Sequence, residues 1–187
     1  MLSLTKLVNT LAPNLKKSLE NAVGEALKRR SSTVEVEHWL YCAIFGKDQA
    51  LLSFLEKENI DINLLQSELD RKMIYGSSKE SIQPTISGSI RQLLERAWIL
   101  SSVEYGAEKI FPEALLMATL QPETFGVKGS YVEALGSISL ERLQENSRQK
   151  AEQYRSKRHE NSDHDNQAAS LNNYTTSLTH SAREHTI

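Results

Sequence analysis

Four groups of side chains in this sequence have types that could do chemistry, and none has the neighbours that chemistry needs. His38 could serve as a general base, but hydrolysis also needs a serine or cysteine nucleophile in a recognisable local motif. No such motif accompanies it. His38 stands in the first turn of a helical pattern, so the residues favour a packing or hydrogen-bonding histidine. Cys42 is the single cysteine, which excludes an internal disulfide and most metal sites. Its neighbours Trp39, Ala43 and Ile44 predict a buried, inert thiol. His159, Asp163, His164 and Asp165 are metal-ligand types in a low-complexity segment that fixes no geometry, so a solvated linker is expected and no metal. The run Lys28-Arg29-Arg30, with Lys16 and Lys17, could touch phosphates. It is balanced by Glu20, Glu25, Glu35 and Glu37, and it closes a helix, where positive charge complements the helix dipole. No Gly-x-x-x-x-Gly-Lys-Ser/Thr element occurs, so the chain carries no phosphate cradle for ATP. These readings predict no catalytic residue and no cofactor in this chain.

Composition agrees. A chain of 187 residues has room for one ordinary domain and a tail. With 39% hydrophobic and 25% charged residues, it falls among soluble globular proteins. Only 8 Gly and 4 Pro argue against a sandwich or barrel, which needs frequent turns. The abundance of Leu, Glu and Ala favours helices. A net charge of −2 gives no general pull toward nucleic acid or anionic lipid. No apolar run approaches the roughly 18–20 residues of a membrane span, and Met1-Leu2-Ser3-Leu4-Thr5-Lys6 lacks the pattern of a signal peptide. A cytoplasmic location is expected.

The elements follow from periodicity. Leu4, Leu7, Val8 and Leu11 have the i, i+3, i+4, i+7 spacing of a helix face. Pro13 ends that pattern and suits the first turn of a new helix, which continues through Leu15, Leu19, Ala22, Val23, Ala26 and Leu27. Ser31-Ser32-Thr33 is the break. A third helix runs from near Glu35 to Gly46, and a fourth spans about 48–57. A fifth is capped by Asp61 and carries Leu64, Leu65, Leu69 and Met73. Residues 75–84 read as a loop.

The pattern then repeats. Leu19-Glu20-Asn21-Ala22 matches Leu94-Glu95-Arg96-Ala97 at an offset of 75, and Val34-Glu35-Val36-Glu37 matches Ile110-Phe111-Pro112-Glu113 at 76. Ile60-Asp61-Ile62 matches Ile138-Ser139-Leu140 at 78. One helical motif used twice predicts an all-α domain of two pseudo-twofold-related four-helix repeats, each covering the apolar face of the other. Residues 148–158 extend the last helix without an apolar stripe. From His159 to Ser170 the chain is polar and reads as a flexible linker.

The paired openings Val-Glu-Val-Glu-His-Trp-Leu (34–40) and Ile-Phe-Pro-Glu-Ala-Leu-Leu (110–116) resemble the Clp N-terminal repeat domain, over about residues 10–145. That domain precedes the ATPase rings of ClpB, ClpA, ClpC and ClpV. Residues 4–22 look like the start of the ClpV branch, with an extra amphipathic helix, a Leu-x-Pro turn and a Leu-Glu-x-Ala helix. Residues 171–187 look like the Tyr-Thr-x-x-Leu-Thr-x-x-Ala-Arg stretch ahead of a first AAA+ module, so the chain is expected to be part of a larger protein.

The resemblance implies the following organisation: an extra N-terminal helix (1–12), a first repeat (13–75), an inter-repeat loop (76–86), a second repeat (87–146) and a linker (147–187) toward an AAA+ module. It implies a substrate-recognition domain of a ClpV-like unfoldase. Such a domain binds an N-terminal helix of the larger subunit of the contracted type VI secretion sheath, in a bacterial cytoplasm. ATP and Mg would belong to the AAA+ modules, where the full-length protein forms a hexamer, while the present chain is expected to be monomeric. The groove implied for the peptide is lined by Leu4, Leu7, Val8, Leu11, Leu15, Ile86, Ser87 and Ile90. Where ClpV relatives often carry Pro-x-Phe-Ser, this chain has Pro84-Thr85-Ile86-Ser87, so an aromatic contact is missing. The residues alone leave two readings of the Leu4, Leu7, Val8, Leu11 face, packing on the domain or walling a groove. They also leave open a general chaperone domain of the ClpB or ClpA type that engages unfolded segments or an adaptor.

Overall fold

Pro13 divides the first two helices. α1 (Leu4–Asn9) is capped by Ser3, whose hydroxyl accepts from the Lys6 N–H at 3.3 Å. α2 (Pro13–Lys28) starts with that proline at its first position, where the missing N–H costs nothing. The computed structural model describes residues 2–73, 75, 76, 83–121, 130–152 and 155. On α2, Leu15, Leu19, Ala22 and Ala26 recur every three or four residues and are all buried. They meet α3 (Val36–Phe45), which buries Trp39, Leu40, Ala43 and Ile44. The Trp39 Nε1–H donates to Ser18 Oγ at 2.9 Å, and that hydroxyl donates to the Leu15 carbonyl at 2.7 Å. The indole is thereby buried with its polar atom satisfied.

α4 (Ala50–Lys57) and α5 (Ile62–Lys72) complete the first unit. Asp61 caps α5 by accepting from the Leu64 N–H at 3.0 Å, as its position predicts. The basic run after α2 does more than complement a helix end. Arg29 is 8% exposed; it donates to Glu25 Oε1, the Met73 carbonyl and Asp70 Oδ1. Its guanidinium also lies 5.4 Å from the Tyr75 ring centroid. It therefore ties the end of α2 to the end of α5.

The second unit repeats the first. α6 (Gly88–Ile99) widens into a π-helical turn over Leu100–Glu104 and is followed by α7 (Pro112–Leu120) and α8 (Ser130–Leu135). A last helix, α9, occupies 140–152. It runs beyond the expected repeat boundary at 146: Ser147 and Ala151 are fully buried, and Ser147 Oγ donates to the Leu143 carbonyl. The metal-ligand types at 159–165 and the stretch 171–187 lie outside the described residues.

Among the described residues, strand pairing is slight. β1 (Thr33–Val34) and β2 (Thr85–Ile86) pair in parallel, Thr33 with Thr85 and Val34 with Ile86. Its counterpart is an isolated parallel bridge between Leu11 and Ile110. Leu11 matches Ile86 at an offset of 75, and Val34 matches Ile110 at 76. Each unit thus lends the segment before its first helix to the segment before the other unit's second helix, as a pseudo-twofold requires. The halves share one apolar core. Across the join, the Tyr131 hydroxyl donates to Glu37 Oε1 at 2.9 Å, and Arg142 Nη1 donates to Glu58 Oε1 at 3.2 Å. Among the described residues no helix is long and apolar enough to cross a membrane.

Candidate functional site

A helix of only six residues has too few internal hydrogen bonds to stand alone, so α1 depends on what holds it. The second unit does so at both ends. Arg91 Nη2, on α6, donates to the Leu2 carbonyl at 2.9 Å. At the far end the Ile110 N–H donates to the Thr10 carbonyl and the Ala12 N–H to the Ile110 carbonyl, both at 2.8 Å. Lys109 Nζ reaches the Asn9 carbonyl at 2.9 Å. The extra helix, although first in sequence, is therefore clamped onto the second repeat.

The eight residues expected to line a groove fall into four sets. Leu7, Leu11 and Ile90 are buried, at 0%, 3% and 0% exposure. They form the packing under α1 and at the start of α6, where a ligand would meet them only as a floor. Leu4, Val8 and Ile86 are half-buried and pack against the core from outside; these present apolar surface to solvent. Ser87 has a local task. Its hydroxyl accepts from the Ile90 N–H at 3.3 Å, capping α6, and its own N–H donates to the Val34 carbonyl at 3.1 Å. It fixes the path of the backbone from β2 into α6.

Leu15 does not join this group. It is 2% exposed and faces a separate cleft between α2, α3 and the start of α4. Sequence reasoning passed over Leu2, which is 40% exposed beside the Arg91 clasp and extends the apolar edge of α1. In the structure one side of α1 packs on the second repeat, and the edge with Leu4 and Val8 stays accessible. None of the eight side chains carries a charge.

His38 takes the hydrogen-bonding role its setting predicts, whereas Cys42, expected to be buried, is only half-buried. His38 is 2% exposed, and its Nδ1 accepts from the Glu35 N–H at 2.9 Å, holding the entry to α3. Burial lowers its pKa, with the neighbouring Arg29 charge acting in the same direction and Glu37, Glu35 and Glu25 opposing. Protonation would place a proton on the accepting nitrogen. A group whose folded pKa is lowered contributes stability that is fully present above its unfolded value, about 6.5, and is lost as pH falls toward the lowered folded value. The urea midpoint of the chain should therefore drop as pH falls below about 6.5, and His38→Ala should flatten that slope. An unchanged slope in the variant would remove His38 from the acid response. Cys42 is half-buried, and burial raises its thiol to about 11, so little thiolate forms at neutral pH and alkylation is slow but measurable. Among the described residues no group of three or more His, Cys, Asp and Glu side chains gathers to hold a metal.

The Clp repeat (R) N-terminal domain family matches residues 10–134. No curated protein matches the chain. Several solved structures share its fold. The N-terminal domain of the ClpV1 ATPase from the Sci1 type VI secretion system of enteroaggregative E. coli is 24% identical with a TM-score of 0.66, covering 75% of this chain and 85% of that one. The N-domain of ClpV from Vibrio cholerae is 20% identical with a TM-score of 0.67, over 77% and 86%. A complex of a ClpV N-domain with a VipB peptide is 22% identical with a TM-score of 0.62, over 76% and 87%.

Proposed function

The chain belongs to the Clp repeat N-terminal domain family, and from that premise we propose that it is the substrate-receiving domain of a ClpV-type unfoldase. Its ligand is an N-terminal helix of the larger subunit of the type VI secretion sheath. The observation that carries this reading is the clamped α1 helix: Leu4 and Val8 on α1, with Ile86 ahead of α6, are half-buried apolar residues with no ionisable group among them. An amphipathic peptide helix lays its apolar stripe into such an edge. The likeness of the fold to a ClpV N-domain solved with a VipB peptide supports the same occupant. The domain then acts by binding alone. It holds the peptide for AAA+ modules of the parent protein, which supply ATP hydrolysis and the hexameric ring, while this chain by itself is a monomer in a bacterial cytoplasm.

Titrating the chain into a fluorescein-labelled peptide of the sheath subunit's N-terminal helix tests this. Saturable binding is expected, with a scrambled peptide of the same composition binding far more weakly. Equal binding of the scrambled peptide and of an unfolded protein would instead identify a general chaperone domain.

A further inference from the structure

The first repeat carries a second recess that the α1 edge does not use. It is a cleft of about 410 Å³ lined by α2, the end of α3 and the start of α4, with Pro112 of α7 at its border. That size lies within the roughly 300–1,000 Å³ range of sites that take small ligands. Its floor is apolar, made of Leu15, Ala43 and Leu51 with the Cys42 thiol, while Lys17 and Lys47 stand at its edge.

The two repeats are tied differently beside this recess. In the second repeat Gln121, the C-cap of α7, accepts from Arg96 Nε of α6 and ties the two helices together. In the first repeat Arg96 is matched by Asn21, and the C-cap of α3 is Gly46. No side chain fits there, since a Cβ on Gly46 would lie 2.4 Å from the Cys42 carbonyl oxygen. Gly46 therefore offers no side chain to tie α2 to α3 beside the recess.

Lysines outnumber acids in the lining, two to one. Asp48 is the only acid in the lining, and both its oxygens are committed: Oδ2 accepts from Asn14 Nδ2 and Oδ1 from the Ala50 N–H. Lys17 has only an exposed pairing with Glu20 at 3.5 Å, which is weak in water. Lys47 is exposed and forms no ion pair with a described residue. An apolar floor beneath two available ammonium groups suits a ligand with an apolar body and a carboxylate.

We propose that this cleft is a second binding site, which takes a short peptide segment in which a carboxylate adjoins an aliphatic side chain. The carboxylate comes either from a chain terminus or from an acidic side chain, and it sits between Lys17 and Lys47 with the aliphatic group on Leu15 and Leu51. This site is independent of the α1 reading, because only Leu15 was assigned to both.

Three fluorescein-labelled pentapeptides distinguish the sources: Ser-Gly-Ala-Leu-Leu with a free C-terminus, the same peptide amidated, and amidated Gly-Leu-Glu-Leu-Gly. Anisotropy reads binding, and slowed alkylation of Cys42, the single thiol, reports occupancy of this cleft. Binding of the free-acid peptide alone assigns a chain terminus, and binding of the glutamate peptide as well assigns any carboxylate. Val8→Glu should leave both signals intact. Lys17→Ala/Lys47→Ala, which alters two exposed side chains, should weaken binding about tenfold and restore Cys42 alkylation. The proposal is overturned if no peptide protects Cys42, if the neutral amide binds as well as the acids, or if the double variant binds undiminished.

Discussion

Trp39→Ala should lower the unfolding free energy by about 3–5 kcal/mol, the largest stability loss expected from one substitution in this chain. The indole is fully buried where α3 crosses α2. Removing it leaves a cavity between two helices whose other core residues, among them Leu15, Leu19 and Leu40, are already buried and cannot readily close in. It also takes the donor from Ser18 Oγ. Trp39→Phe separates the two effects, since it keeps most of the volume and loses only the Nε1–H. It should cost about 1–2 kcal/mol, the range for a broken hydrogen bond with modest repacking. Urea denaturation followed by far-UV circular dichroism gives both values. Equal losses in the two variants would mean that the hydrogen bond, not the packed volume, dominates this crossing.

The largest expected effect on binding comes from placing a charge on the accessible edge. Val8→Glu and Ile86→Glu should each weaken the sheath peptide at least about tenfold to a hundredfold, because a carboxylate there must be desolvated against an apolar stripe. Both residues are half-buried, so the substituted side chains can turn to water and the fold should persist. Leu7 and Leu11 would be poor choices for the same experiment. At 0% and 3% exposure, a charge at either site would expel α1 from the second repeat, and lost binding would then report lost structure. Peptide anisotropy beside a circular dichroism melt distinguishes the cases. Unchanged affinity in both Val8→Glu and Ile86→Glu, with the melt retained, would move the site away from α1.

The repeat was legible because its markers are apolar residues at helical spacing joined to short motifs, as in Leu19-Glu20 with Leu94-Glu95. What periodicity could not show was the crosswise pairing of Leu11 with Ile110 and Val34 with Ile86. Two-residue strands are too short for any alternation to register. The groove residues were legible as a face but not in depth. Leu7, Leu11 and Leu15 continue one i, i+4 series on paper, yet Pro13 ends one helix and starts another between them. Leu15 therefore points into a different cleft. Arg29 read as a charge at a helix end, and its burial depends on Asp70 and Met73, which lie more than forty positions away and reach it only once α5 is in place. The open cleft of the first repeat was beyond sequence reasoning for the same kind of reason. It lies between α2, the end of α3 and the start of α4, and it forms only when those three helices are side by side.

Hydrogen–deuterium exchange of the chain with and without the sheath-subunit helix peptide tests the central claim most directly, because it reports where the peptide sits. Peptide binding should slow exchange in residues 2–12 and 85–94, across α1, β2 and the first turns of α6, and leave α3 to α5 unchanged. Protection confined to α2, α3 and α4, or no protection at α1 at saturating peptide, would contradict it.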